Sequence, residues 1–173
     1  SGLTGKIPPE IKVLTSLTLF DVSNNAITGE IPNVLTSMRN LTFFSVESNV
    51  LSGSAVVDLV GLNQLRSYRV SLNRFTGPIN ASIGSLPSLQ ELWMTDNQLT
   101  GSIPSSIGQL ASLQSLYLYS NQLAGTIPDV FGGLNLTQVQ LHQNSLAGPI
   151  PESLFDNTGL TLLRLDQNQL TGT

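Results

Sequence analysis

The one histidine of the chain, His142, stands 24 residues before Asp166. A His–Asp pair supplies two members of a hydrolytic triad, in which the carboxylate orients the imidazole and the imidazole activates a serine. Such chemistry also needs a nucleophile, an oxyanion hole and a pocket, and no serine falls beside His142 in the local pattern. His142 is therefore read as a contact or surface residue, and the chain as a non-enzyme. Cysteine is absent and no second histidine exists, which leaves no thiolate nucleophile and no metal-ligand set. The glycines form no phosphate-cradling motif, and no cofactor is expected. Recognition chemistry remains: Arg69, Trp93, Tyr117 and Tyr119 are of the types that dominate binding hot spots, burying much area while keeping a polar handle.

Composition narrows the classes of partner. The 173 residues suit one domain, only 10% are charged, and the formal net charge is -4. No broad basic footprint is available for nucleic acid. No apolar run approaches the roughly 20 residues of a membrane helix, and the opening "SGLTGKIPPE" lacks the regions of a signal peptide.

The elements that must position the aromatic residues follow from repetition. "NQLTGSIP" at 97–104 returns as "NQLAGTIP" at 121–128, "NSLAGPIP" at 144–151 and "NAITGEIP" at 25–32, with weaker copies at 49–56 and 73–80. Asn25, Asn49, Asn73, Asn97, Asn121, Asn144 and Asn168 are spaced by 24 residues, except for one step of 23 across "GGLNLTQ". Upstream of each lies Leu-x-x-Leu-x-Leu-x-x-Asn, whose alternating apolar residues mark a short strand with one buried face. A unit this small must stack on its neighbours as a solenoid. The asparagines are read as structural: a buried amide, donor and acceptor at once, satisfies backbone groups at the strand end and in the next coil.

The full pattern, Leu-x-x-Leu-x-Leu-x-x-Asn-x-Leu-x-Gly-x-Ile-Pro, resembles the plant-type leucine-rich repeat over essentially the whole chain. That family includes ectodomains of plant receptor-like kinases and receptor-like proteins, and polygalacturonase-inhibiting proteins. The resemblance implies an α/β solenoid: a right-handed superhelix of about seven 24-residue repeats. It further implies a parallel concave sheet, a second short strand at Leu-x-Gly-x-Ile-Pro, and short 3-10 or helical turns on the convex side. Two copies lack the proline, having Ala55-Val56 and Ile79-Asn80, and a different bend is expected there. The family's cysteine-bearing caps are missing and the pattern is cut mid-repeat at both ends. Residues 1–173 are therefore read as one solenoid domain from a longer chain, with flanking repeats or neighbouring subunits covering both ends.

The repeat register assigns faces. With the leucines pointing inward, the residues between them point out of the concave sheet. One column holds Asp21, Ser45, Arg69, Trp93, Tyr117, Gln140 and Arg164; another holds Ser23, Glu47, Ser71, Thr95, Tyr119, His142 and Asp166. Arg69, Trp93, Tyr117, Tyr119, Gln140 and His142 form the candidate ligand-binding patch for a peptide or protein. The alternative is a cross-strand ladder that only stiffens the sheet, with Arg69 stacked over Trp93. Glu47 and Glu91 lie near enough to neutralise Arg69, which could otherwise hold a ligand carboxylate.

Sequons at Asn40, Asn80 and Asn135 point to glycosylation of an extracellular or cell-surface protein, at places that leave the concave sheet open. Two rival functions stay open. One is a structural segment of a larger wall, adhesion or filament assembly. The other is ice binding by the column Thr4, Thr28, Thr76, Thr100 and Thr171, interrupted by Ser52, Ala124 and Ala147.

Overall fold

A computed structural model describes residues 2–172. Each coil contributes one strand to a seven-stranded parallel sheet. In order these are Leu19–Asp21, Phe43–Ser45, Ser67–Arg69, Glu91–Trp93, Ser115–Tyr117, Gln138–Gln140 and Leu162–Arg164. Sequence neighbours are sheet neighbours throughout, as expected when each coil closes once per repeat. The inward residues make the core: Leu92, Met94, Leu116 and Leu118 are wholly buried. Toward the N-terminus the same interior column turns aromatic. There Phe20 stacks on Phe44 at 5.4 Å and Phe44 on Tyr68 at 5.3 Å.

The second strands are short and assemble in groups of three, two and three. Five 3-10 turns lie opposite the long sheet: Pro9–Val13, Leu35–Ser37, Ala81–Ser85, Ser105–Gln109 and Glu152–Leu154. Three of them follow a proline whose φ is fixed near the required value: Pro8 at -75°, Pro104 at -71° and Pro151 at -66°.

The two copies without proline behave differently. Asn80 replaces the ring with a side-chain cap, its Oδ1 accepting the Ser82 N–H at 2.9 Å, and the turn Ala81–Ser85 forms regardless. In the other copy no 3-10 turn forms between Leu51 and Ser67, and Ala55 and Val56 are buried. The Tyr68 hydroxyl reaches across to donate to the Ala55 carbonyl at 2.8 Å. Total burial raises the Tyr68 phenol above its ordinary 10. Loss of the 3-10 turn does not track the missing proline, because the coil after Pro128 also forms none between Thr126 and Gln138.

The asparagine ladder makes the bonds its chemistry permits, with one difference of direction. The Asn97 Oδ1 accepts the Phe75 N–H at 3.0 Å, while its Nδ2 donates to the carbonyls of Val70, Met94 and Thr95. Asn49, Asn73, Asn121, Asn144 and Asn168 repeat this arrangement. Asn25 accepts from Leu3 in the same way. The coil each amide reaches is therefore the preceding one, not the following one. The residue just before each ladder asparagine is left-handed: Asn24, Ser48, Leu72, Asp96, Ser120, Gln143 and Gln167 have φ of 53–57°.

The step of 23 residues has its own repair. In full-length turns the first strand leucine donates to the carbonyl three residues back, as Leu89 does to Leu86 and Leu113 to Leu110. The shortened turn denies Leu136 that partner. Asn157, standing where other coils carry a core leucine or methionine, accepts the Leu136 N–H at 3.0 Å and donates to Phe131, Ser153 and Leu154.

Candidate functional site: the open face of the long sheet

Strand pairing sets Arg69, Trp93, Tyr117, Gln140 and Arg164 side by side. The guanidinium carbon of Arg69 lies 4.2 Å from the Trp93 ring centroid and 5.3 Å from that of Phe43. Arg69 Nη2 donates to Glu91 Oε2 at 2.7 Å and Nε to Ser67 Oγ at 3.0 Å, while Ser67 Oγ donates to the same Glu91 oxygen. Partial burial pushes the Glu91 carboxyl up, but the bonds from Arg69 and Ser67 outweigh it and hold it below its ordinary value. Arg69 thus has its Nε and Nη2 engaged by Ser67 and Glu91 and two rings close to its guanidinium carbon, so its charge is already largely answered within the protein.

Trp93 meets Tyr117 edge to face at 4.9 Å and 73°, an arrangement aromatic quadrupoles favour. The Tyr117 hydroxyl donates to Gln138. Tyr119 stacks on His142 at 4.4 Å and 15°. All six candidate residues share the open face, yet they cover one another. Tyr117 keeps 9% of its surface and His142 only 5%; Arg69, Trp93, Tyr119 and Gln140 are half-buried. Alternation in sequence fixes the side of a sheet and not the accessibility, because large neighbours about 4.8 Å apart shield each other.

A third column was missed by the sequence reading. Leu19, Phe43, Ser67, Glu91, Ser115, Gln138 and Leu162 begin the strands on the same face. They supply every side-chain hydrogen-bond partner of Arg69 and Tyr117. The period of two that placed Trp93 also placed them, two residues earlier.

His142 and Asp166 make no hydrogen bond to each other. Asp166 is held by Arg164 at 3.0 Å. Burial and then the charge of Arg164 lower the His142 imidazole below its ordinary 6.5, against Asp166 and Asp96. Among the described residues, four buried side-chain polar atoms lack a hydrogen-bond partner, and two of them are Trp93 Nε1 and His142 Nδ1. The sequon asparagines Asn40, Asn80 and Asn135 are all exposed, and none lies on the long sheet.

Comparison with known proteins agrees with this architecture. A family model described as Leucine Rich repeats (2 copies) matches residues 79–131, and one described as Leucine Rich Repeat matches residues 16–38. No curated protein matches. Among solved structures, the plant peptide hormone receptor RGFR1 in complex with RGF2 is 36% identical, with a TM-score of 0.95 over 98% of this chain and 27% of that one. The ectodomain of the membrane receptor kinase GASSHO1/SCHENGEN3 from Arabidopsis thaliana, in complex with Casparian strip integrity factor 2, is 35% identical. Its TM-score is 0.95 over 99% of this chain and 21% of that one. A plant ice-binding protein is 27% identical, with a TM-score of 0.84 over 97% of this chain and 62% of that one. The chain spans only 27% and 21% of the two receptors it matches. Strand, ladder and turn define a leucine-rich-repeat solenoid. Its Leu-x-Gly-x-Ile-Pro segments and its receptor relatives make it a leucine-rich-repeat protein of the plant type.

Proposed function

We propose that the chain belongs to an extracellular recognition scaffold that binds a peptide or protein on the concave face of the long sheet. Arg69, Trp93, Tyr117, Tyr119, Gln140 and His142 form the floor of that contact. The carrying observation is the pair of orphaned nitrogens, Trp93 Nε1 and His142 Nδ1. A ladder shaped only to stiffen the sheet would partner such groups, because each costs about 1–3 kcal/mol when left unmade. The other two such groups among the described residues, the Ser82 and Ser106 hydroxyls, lie in the turns opposite the sheet. On the open face the two orphans are the ring nitrogens of candidate contact residues, where a ligand group would supply the missing partner. The matched structures, a plant peptide hormone receptor in complex with RGF2 and a receptor kinase ectodomain in complex with Casparian strip integrity factor 2, support the same reading. Glycans on Asn40, Asn80 and Asn135 would flank the face without covering it.

The test is binding of a panel of plant peptide hormones to the chain and to Trp93→Ala/Tyr117→Ala, with circular dichroism as the folding control. The scaffold reading requires at least one binder whose affinity collapses in the variant. Undiminished binding by a folded variant would sink the patch. Mass spectrometry of the plant-expressed chain, before and after deglycosylation, reads the three sequons.

Ice binding is the second reading, favoured by the similarity to a plant ice-binding protein. Thr4, Thr28, Thr76, Thr100 and Thr171 are indeed exposed. However, the Thr28 hydroxyl is turned to the Gly5 carbonyl, and Ser52, Ala124 and Ala147 interrupt the threonine column. Absence of thermal hysteresis would remove it.

A further inference from the structure

The charges of the open face are unevenly paired. Its three columns carry Asp21, Glu47, Glu91 and Asp166 against Arg69 and Arg164. Arg69 is taken by Glu91 and Arg164 by Asp166, and these are the two ion pairs among the described residues. Asp21 and Glu47, at the N-terminal end of the face, are left without a cation. Asp21 accepts only the neighbouring Ser23 N–H, and no donor reaches the Glu47 carboxylate among the described residues. Partial burial raises the Glu47 carboxyl, Arg69 opposes the rise, and Asp21 and Glu91 add to it. The internal cation nearest to Glu47 is thus already engaged elsewhere.

A second feature sits beside this one and arises independently. Leu72 has φ of 56°, a left-handed conformation that branched side chains adopt only at a cost. Its six equivalents are Asn24, Ser48, Asp96, Ser120, Gln143 and Gln167, all polar. Leu72 is nonetheless 52% exposed, so core packing does not explain an aliphatic residue there. Its carbonyl accepts the Asn49 N–H at 3.2 Å and its N–H donates to Thr95 at 3.0 Å. It therefore stands on the rim between the coil of Glu47 and the coil of Trp93.

We propose that this face takes an extended cationic peptide segment, with a Lys or Arg head over Asp21 and Glu47 and its aliphatic stem against Leu72. Apolar or aromatic residues further along the segment lie on Trp93 and Tyr117. Lys and Arg combine an apolar stem with a charged head, which matches an exposed leucine beside an unpaired carboxylate. Charge complementarity of this kind sets orientation and excludes acidic competitors. The inference rests on the recognition reading above and gives it a chemical class of ligand.

The probe is a random-sequence peptide display library selected on the chain, followed by calorimetry of the recovered peptides. Recovered sequences should be enriched in Lys or Arg next to an apolar residue. Their affinity should fall about tenfold in Asp21→Asn/Glu47→Gln and weaken with salt, as expected when an oppositely charged contact is lost. Leu72→Asn should weaken binding while leaving the fold at least as stable, which no loss of folding could mimic. Neutral or acidic winners overturn the proposal. So does binding that survives charge removal yet is lost in Trp93→Ala, in which case the face reads peptides without reading charge and the broader function stands. Polylysine held equally by wild type and Trp93→Ala would show attraction without recognition, and it too overturns the proposal. If no recovered peptide responds to either Trp93→Ala or the charge variant, the broader function falls with it.

Discussion

Arg69 is clamped between two different kinds of partner: its guanidinium carbon lies 4.2 Å from the Trp93 ring centroid, and its Nη2 donates to Glu91 at 2.7 Å. Planar stacking and an edge-on carboxylate are uses to which arginine, and not lysine, is fitted. Arg69→Lys should keep the charge and lose most of the stack, costing about 1 kcal/mol. Intrinsic fluorescence of Trp93, the one tryptophan, should shift to the red as its covered face meets water. Emission unchanged from wild type would contradict the clamp.

The short turn and Asn157 should behave as one unit. Asn157→Leu restores the residue type of the other coils but orphans the buried Leu136 N–H, at a cost of about 1–3 kcal/mol. Inserting one residue between Asn135 and Leu136 should return the turn to full length and let Leu136 find the bond its equivalents make. The insertion combined with Asn157→Leu should therefore be more stable to urea than Asn157→Leu alone. Simple additivity of the two changes would refute the coupling.

Two glycines test different costs. A Cβ on Gly77 meets nothing, yet φ is +77°, so Gly77→Ala should cost about 1–2 kcal/mol from backbone strain alone. A Cβ on Gly108 would sit 2.8 Å from both the Val130 Cβ and the Val130 carbonyl oxygen. Gly108→Ala should cost about 1–3 kcal/mol by overpacking, and Val130→Gly, which removes the clashing Cβ, should recover part of it. No such recovery is expected for Gly77→Ala.

Stability should depend on pH through His142. Its folded-state pKa lies below the ordinary 6.5, so the unfolded chain takes up the proton first as pH falls. The contribution is fully present above 6.5 and is lost as pH drops toward the folded value. Groups facing it are Tyr119, Arg164, Asp166 and Asp96. Melting temperature in His142→Gln should be flatter across this interval than in wild type. Glu47, raised rather than lowered, has the opposite sign and weighs in nearer the acidic range.

Much of the molecule is legible in the sequence because the repeat enforces it. The spacing of Asn97 and Asn121 predicts the ladder, and the alternation Leu92–Trp93–Met94 predicts which side of the sheet Trp93 takes. Pairing across coils is harder, since it depends on side-chain reach. Glu91 binds Arg69 from the neighbouring strand, and nothing in "LQELW" marks it more strongly than Glu47. Burial of His142 arises from the stacked ring of Tyr119, a contact set by rotamer and not by register. Asn157 escapes because it follows no ladder spacing; its signal was the missing residue in "GGLNLTQ", one coil earlier.

The ladder amides all reach backward. Each coil has its turn sealed by the coil that follows, as the Asn97 amide seals Phe75 and Val70. The stack is consequently laid like roof tiles, with a polarity that the strands alone, being equivalent, would not give it. Trimming coils from the N-terminal side leaves every remaining turn still sealed. Trimming from the C-terminal side unseals the new last turn each time, so the solenoid has one end from which it can be shortened cleanly and one from which it frays.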